Sequence, residues 1–307
     1  MREADVEVRL PDGVRCAVAL SYDLEMCAGY QPDGVNHGRI IPEIQKYTLD
    51  LCEVAEAFDT QLHFFFVGNG FDQTFDCLKE ILERGHVVDN HTFSHLPLLT
   101  DDVDKLDEEL STVNRLFEDR LNWKSTVLRG PGGYQNGLDD RPDNQEVILR
   151  NGFKWVSCRF DSTDLQNRDY VLASPSSDTP YAYPTGLIEI PFQGYTDRSF
   201  FDNLYCDSRE AYDIWRKASG GTAVVDGWEA PWTADAALDE WMAYNRQALD
   251  YAYERGLLWV PTWHPATHYY HDRKNVALRD LLAYARSKEE KVWVCTVRDA
   301  AEMISAS

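Results

Sequence analysis

A chain of 307 residues with 44% hydrophobic and 27% charged residues has apolar material for a substantial core, as a soluble globular protein does, and argues against a disordered chain. Its 52 acidic residues against 30 basic ones leave a net charge of -22, a field that repels phosphate backbones and anionic lipid head groups. Nucleic acid and membrane surfaces are therefore excluded as partners, whereas a neutral or cationic substrate fits the charge, as does the plainer reading of solubility or a salty habitat.

Seven cysteines, Cys16, Cys27, Cys52, Cys77, Cys158, Cys206 and Cys295, form no CxxC pair and sit mostly in apolar segments, so they read as reduced, buried thiols. The start MREADVEVRLPDG lacks the apolar core of a signal peptide, and no apolar run approaches the roughly 20 residues of a membrane span. The expected location is cytoplasmic, provided Met1 is the true start.

In chain order, RCAVALSY (15–22) reads as a buried strand, 42–58 as a helix, LHFFFV (62–67) as a strand and 74–84 as a helix stopped by Gly85. A strand at 86–89, a helix at 101–121, a strand at 126–128, a helix at 144–151 stopped by Gly152 and a strand at 154–158 follow. From about 165 to 205 the pattern breaks into Pro, Ser, Asp and Tyr, a stretch that reads as surface loop, with one strand-like island at LIEI (187–190). Helices at 208–218 and 234–255, a strand at 257–262, a helix at 277–287, a strand at 291–295 and a helix from Arg298 complete the chain. Alternating strands and helices with short connections predict a parallel sheet closed as an α/β barrel, one domain over 1–307. In such a barrel functional groups collect at the C-terminal ends of the strands.

The polar residues just after the predicted strands are Asp23 and Glu25 in SYDLE, His91 and His95 in DNHTFSH, Arg129 in RGPGG, Asp161 and Asp164 in RFDSTD, and His264 and His268 in TWHPATH. Singly each has a plain explanation. A histidine pair at i and i+4 is often a solvated helix face, Asp23 could cap a turn, Arg129 could pair with a surface acid, and His264 before Pro265 could be a core histidine. Five strand ends delivering ionisable groups to one rim make a functional site the stronger reading.

The order of these motifs resembles the polysaccharide deacetylase family, the NodB-homology domains that hydrolyse acetyl groups from amino sugars and xylan. HFFFVGN through LKEILERGHVVDNHTFSH (63–95) is similar to that family's strand, helix and metal-binding turn. LRGPGG carries its Arg-x-Pro-x-Gly element, DSTDL resembles its Asp-x-x-Asp-Trp element with Leu165 for Trp, and TWH stands where its last motif supplies a histidine. The resemblance runs from about residue 15 to the C-terminus and implies a deformed (β/α)7 barrel. The family's first motif usually reads Thr-Phe-Asp-Asp, against Ser21, Tyr22, Asp23, Leu24 and Glu25 here. An Asp-x-Asp form occurs in a branch with allantoinase-like and peptidoglycan-deacetylase-like members, and Glu25 then takes the ligand position with an arm one methylene longer.

The resemblance implies that Glu25, His91 and His95 hold a divalent ion, zinc first, with cobalt, iron or manganese also compatible with two histidines and a carboxylate. It further implies Asp23 as general base paired with Arg129, backbone N–H near Gly132 as oxyanion donor, and His264, oriented by Asp161, as the acid that protonates the leaving amine. Tyr134, Trp263 and His268 are candidate substrate contacts, although HPATHYYH, with His268 and His271, reads more simply as a solvated loop. The aromatic residues Tyr181, Tyr183, Phe192, Tyr195, Trp215, Trp228 and Trp232 could stack on sugar faces, pack a core or form a homo-oligomer interface. Cys158, with no evident base beside it, reads as a buried thiol.

The implied activity is metal-dependent hydrolysis of a C–N amide bond, de-N-acetylation of an acetylated sugar first. A small cyclic amide or ureide is the second substrate class, and a carbohydrate-binding barrel without catalysis is the reading from a different class. Specificity is expected to reside in the irregular segment at about 165–232.

Overall fold

The computed structural model describes residues 4–25, 41–160, 179–194, 196–201, 224–225, 228–229 and 234–305. The parallel strands that build the barrel are β1 (Val14–Ala19), β2 (Ser21–Leu24), β3 (His63–Phe66), β4 (Val87–Asn90), β5 (Val127–Tyr134) and β6 (Trp155–Arg159). They continue with β7 (Ile188–Glu189), β8 (Leu258–Trp259), β9 (Thr262–Trp263) and β10 (Lys291–Cys295). The helices are α1 (Pro42–Glu56), α2 (Phe71–Glu83), α3 (Val103–Leu116), α4 (Pro142–Arg150), α5 (Ala234–Arg255), α6 (Pro265–His271), α7 (Val276–Arg286) and α8 (Val297–Glu302).

Strands β7, β6, β5, β4, β3, β2 and β9 are neighbours in that order, and all of these pairings are parallel. Strands β8 and β10 flank β1, also in parallel. Because β1 and β2 are successive halves of one strand through Leu20, the two sheets join and curl into the expected deformed barrel.

Side-chain parity builds the site. Along β1 and β2, Cys16, Val18, Leu20, Tyr22 and Leu24 pack against the helices, while Ala17 and Ala19 join Phe65, Val127, Leu258 and Val260 in a separate interior cluster. The same alternation carries Ser21, Asp23 and Glu25 inward above the two alanines. Along β8 and β9, Leu258 and Val260 lie inside and Trp259 and Trp263 outside, which puts Thr262 and His264 on the interior side.

Three expectations shift. The predicted strand 257–262 splits into β8 and β9, because Pro261 has no N–H to donate and Val260 exchanges hydrogen bonds with Gln193 instead. Strand β5 outruns its predicted three residues, since RGPGG stays in the sheet with a register break between Arg129 and Tyr134. HPATHYYH is a buried helix rather than a solvated loop: Pro265 starts α6, and His268 and His271 are 1% and 7% exposed. The predicted helix 208–218 lies outside the described residues. The five described cysteines are free and buried, and no described helix is long and apolar enough to cross a membrane.

Below the site, Asp89 fastens the barrel. It accepts from Ser125 Oγ, Thr126 N and Val127 N and takes a two-pronged contact from Arg298 at the start of α8, at 2.9 and 2.6 Å. His63 Nε2 lies 3.1 Å away; since His63 Nδ1 accepts the Val297 N–H, its proton sits on Nε2. Burial raises the Asp89 pKa, but hydrogen bonds from Arg298 and His63 outweigh it and bring the carboxyl down to about 2. Its stabilisation is present above the unfolded carboxylate value near ~3.9 and is lost as pH falls through about 2. Asp89→Ala should cost about 3–5 kcal/mol by stranding Arg298 and the backbone donors, and denaturant melts at neutral pH should show that drop. Asp89→Asn should flatten the acid limb of the stability profile between about pH 4 and 2.

Candidate metal centre and catalytic cleft

A cavity of about 250 Å³ opens at the C-terminal rim, lined by Asp23, Glu25, His95, Gly132, Gly133, Phe160, Phe192, Thr196, Arg198, Thr262 and His264. Six of these stand at or beside the ends of β2, β5 and β9, as a parallel barrel requires.

The segment after β4 is not helical, so the histidine spacing does not come from a helix face. Thr92 and His95 adopt left-handed backbone, φ 60° and 65°, which curls HTFSH until the two imidazoles meet edge to face with centroids 5.0 Å apart. Asn90 holds one side of the curl by accepting the Thr92 N–H, and Glu109 of α3 the other by accepting from Ser94 N and Ser94 Oγ at 2.6 and 2.8 Å. Glu109 is 1% exposed and was not singled out from the sequence.

Ligand atoms of Glu25, His91 and His95 lie within 4.8 Å of one another. His91 Nδ1 sits 3.0 Å from the Arg129 carbonyl oxygen, which can only accept, so Nδ1 carries the proton and Nε2 turns its lone pair into the site. That Nε2 is buried with no hydrogen-bond partner, and burial pushes the His91 pKa down to about 4, so the ring is a neutral donor. Burial would raise Glu25, but His95 at 3.1 Å, Arg198 at 3.7 Å and His264 hold its carboxyl well below the usual range. Two imidazoles and an ionised carboxylate, one imidazole with an orphaned lone pair, fit a divalent ion.

Asp23 faces this triad. Its Oδ2 is 3.8 Å from His91 Nε2 and 3.9 Å from His264 Nε2, and its Oδ1 is 3.7 Å from Arg129 Nε. Arg129 is fully buried, donates to Ser21 Oγ and Thr262 Oγ1, and is sandwiched between the Phe65 and Phe192 rings at 4.6 and 4.9 Å. His264 directs Nε2 at the cavity because Nδ1 donates to Asp197 Oδ1 at 2.7 Å, while its backbone N–H donates to Asp197 Oδ2 at 2.7 Å. Burial lowers the His264 pKa, yet Asp197, with Glu25 and Asp23, more than offsets this and raises it to about 9. The orienting carboxylate is thus Asp197, in the short helical turn Asp197–Ser199. Asp161, expected in that place, lies outside the described residues, as does Asp164.

Gly132 lines the cavity at φ 79°, and a Cβ there would meet nothing closer than 3.9 Å, so conformation rather than space calls for glycine. At Gly133 a Cβ would sit 2.5 Å from Phe160, whose ring stacks on Phe192 at 4.9 Å to make an apolar wall. Tyr134, Trp263 and His268 are not among the residues that line the cavity. The Tyr134 hydroxyl donates to Pro131 O and accepts from Leu98 N, and Trp263 and His268 face the helical layer. Tyr181 and Tyr183 are core residues around Glu189, which also takes the Cys158 thiol at 3.2 Å, whereas Phe192 reaches the cavity. Tyr195, Trp215 and Trp232 lie outside the described residues.

Residues 32–141 match the family model described as polysaccharide deacetylase. A peptidoglycan-N-acetylglucosamine deacetylase of Bacillus cereus is 27% identical over 90 residues, 29% of this chain and 42% of that protein. The peptidoglycan-N-acetylmuramic acid deacetylase PdaA of Bacillus subtilis is 25% identical over 175 residues, 52% of this chain and 66% of that one. The matches to curated relatives thus span from a third to just under two thirds of the relatives' length. Among solved structures, a putative polysaccharide deacetylase from Mycobacterium smegmatis superposes with a TM-score of 0.65 at 19% identity, over 99% of this chain and 94% of that one.

In protein stripped of metal by a chelator, His264 should titrate near pH 9 by NMR, and Asp197→Asn should lower that value. Because the folded value lies above the unfolded one near ~6.5, the stabilisation is complete below that pH and fades as pH rises through about 9, a slope that Asp197→Asn should abolish.

Proposed function

We propose that the chain is a member of the polysaccharide deacetylase superfamily and a metal-dependent hydrolase that removes the acetyl group from the nitrogen of an amino-sugar substrate, a reading supported by the family-model match and the deacetylase relatives. What carries the reading is the convergence of a three-residue donor set, a carboxylate and an Asp-held imidazole on one cavity. A divalent ion held by Glu25, His91 and His95 would supply a Lewis acid for the acetyl carbonyl and an acidified water.

This chain's own residues do the rest. Asp23 takes the proton of the attacking water, its carboxylate kept in place from behind by Arg129. The backbone N–H of Gly132 assists the oxyanion. His264, protonated at neutral pH by virtue of Asp197, gives its Nε2 proton to the departing nitrogen. The Phe160 and Phe192 stack offers the acetyl methyl an apolar wall and keeps bulk water out. An uncharged N-acetyl sugar also suits a chain of net charge -22.

Elemental analysis of untagged protein should find about one divalent ion per chain, absent from the His91→Ala/His95→Ala variant. Asp23→Asn should keep the ion while acetate release from N-acetylglucosamine oligomers and peptidoglycan falls about 10²–10⁴-fold. Full turnover in Asp23→Asn, or equal metal in the double variant, contradicts the proposal. Because the first motif reads Asp-x-Glu, allantoin belongs in the same assay as a cyclic ureide; turnover of it alone would reassign the substrate.

A further inference from the structure

Behind His264 the barrel wall holds a second histidine that the proposed chemistry does not use. His268 lies one helical turn along α6, its backbone N–H donating to the His264 carbonyl at 3.0 Å. Its ring is caged by aromatic side chains: it stacks on Trp263 at 4.8 Å and 24° and meets Tyr22 and Trp241 edge on at 6.2 and 6.4 Å. The residue is 1% exposed, and neither ring nitrogen has a hydrogen-bond partner. An imidazole sealed in an apolar cage without partners is costly, so packing alone is a poor reason for one here.

The polar group that faces it is the far oxygen of the carboxylate that orients His264. His268 Nε2 is 3.5 Å from Asp197 Oδ2, a separation that a small tilt of the ring closes to a hydrogen bond, as catalytic contacts often tighten in the working complex. Asp197 is fully buried and holds His264 through both oxygens, Oδ1 on the ring and Oδ2 on the backbone N–H. Its Oδ1 also takes the Arg198 N–H, and His268 Nε2 stands on the Oδ2 edge. Of the other titratable neighbours, the Tyr22 hydroxyl is buried without a hydrogen-bond partner. Asp272 caps α7 through the N–H groups of Val276 and Ala277, and His271 stacks on Phe201 at 4.1 Å.

We propose that His268 is a positioning residue: its buried imidazole braces Asp197, and through it fixes the His264 ring in the orientation that presents Nε2 to the cavity. The proposal rests on His264 being the proton donor of the proposed hydrolysis. A purely structural role predicts that an aromatic replacement is tolerated and a polar one is not; bracing predicts the reverse, because glutamine can place an N–H where Nε2 stands.

The test uses the full chain labelled with ¹⁵N-histidine, in the wild type, His268→Phe and His268→Gln. The His264 Nδ1–H resonance, assigned by its loss in His264→Gln, is read beside kcat and KM for acetate release from N-acetylglucosamine oligomers. In His268→Phe the resonance should move or broaden away and kcat should fall about 10- to 100-fold with KM nearly unchanged, as expected for a misaligned proton donor. In His268→Gln both should stay close to the wild type. An unaltered resonance in His268→Phe, or equal damage in the two variants, overturns the proposal. If His268→Phe fails to fold, His268→Met removes the same donor. Absence of turnover in the wild type would count against the proposed activity, and the resonance would still decide the role of His268.

Discussion

The Arg129 guanidinium is the interaction on which the site depends. A cation enclosed in a barrel core is tolerable only if its donors and its charge are met. Ser21 and Thr262 accept from its two terminal nitrogens and Asp23 faces its charge at 3.7 Å, all from the two strands that carry Asp23 and His264, while the Phe65 and Phe192 rings close over its faces. The same residue's carbonyl fixes the tautomer of His91. One buried side chain thereby sets the spacing between β2, β5 and β9, and its backbone decides which nitrogen of a candidate ligand is available.

Much of this was legible in the sequence because strand alternation is strict. In AVALSYDLE the apolar partners of the helices alternate with Ala17, Ala19, Ser21, Asp23 and Glu25, so small residues fill the interior and the polar ones arrive at its rim. Extending the same alternation to β9 separates His264, which faces the cavity, from Trp263, which does not. An acid on the apolar face of an amphipathic helix was also a usable signal: Glu109 lies three residues after Leu106 and one before Leu110, both buried.

Other parts left no trace that a local pattern could find. Asp197 comes from the segment where periodicity lapses, so nothing in TDRS marked it as the partner of His264. Helix α6 spans 7 residues, too short for a period to emerge, and only Pro265 at its start announced it. The left-handed backbone of Thr92 and His95 is a tertiary outcome too, held by Asn90 and Glu109 from outside the turn. Such strain is concentrated where two imidazoles must converge over five residues of chain, and the surrounding hydrogen bonds keep it in place.

Anomalous diffraction from crystals grown with zinc tests most directly whether these constraints serve a metal centre. The account predicts one ion at the rim, about 2.0–2.2 Å from Glu25, His91 Nε2 and His95, with Asp23 outside the coordination sphere. An ion coordinated by Asp23 in place of Glu25, or no anomalous peak within reach of the two histidines, would contradict it.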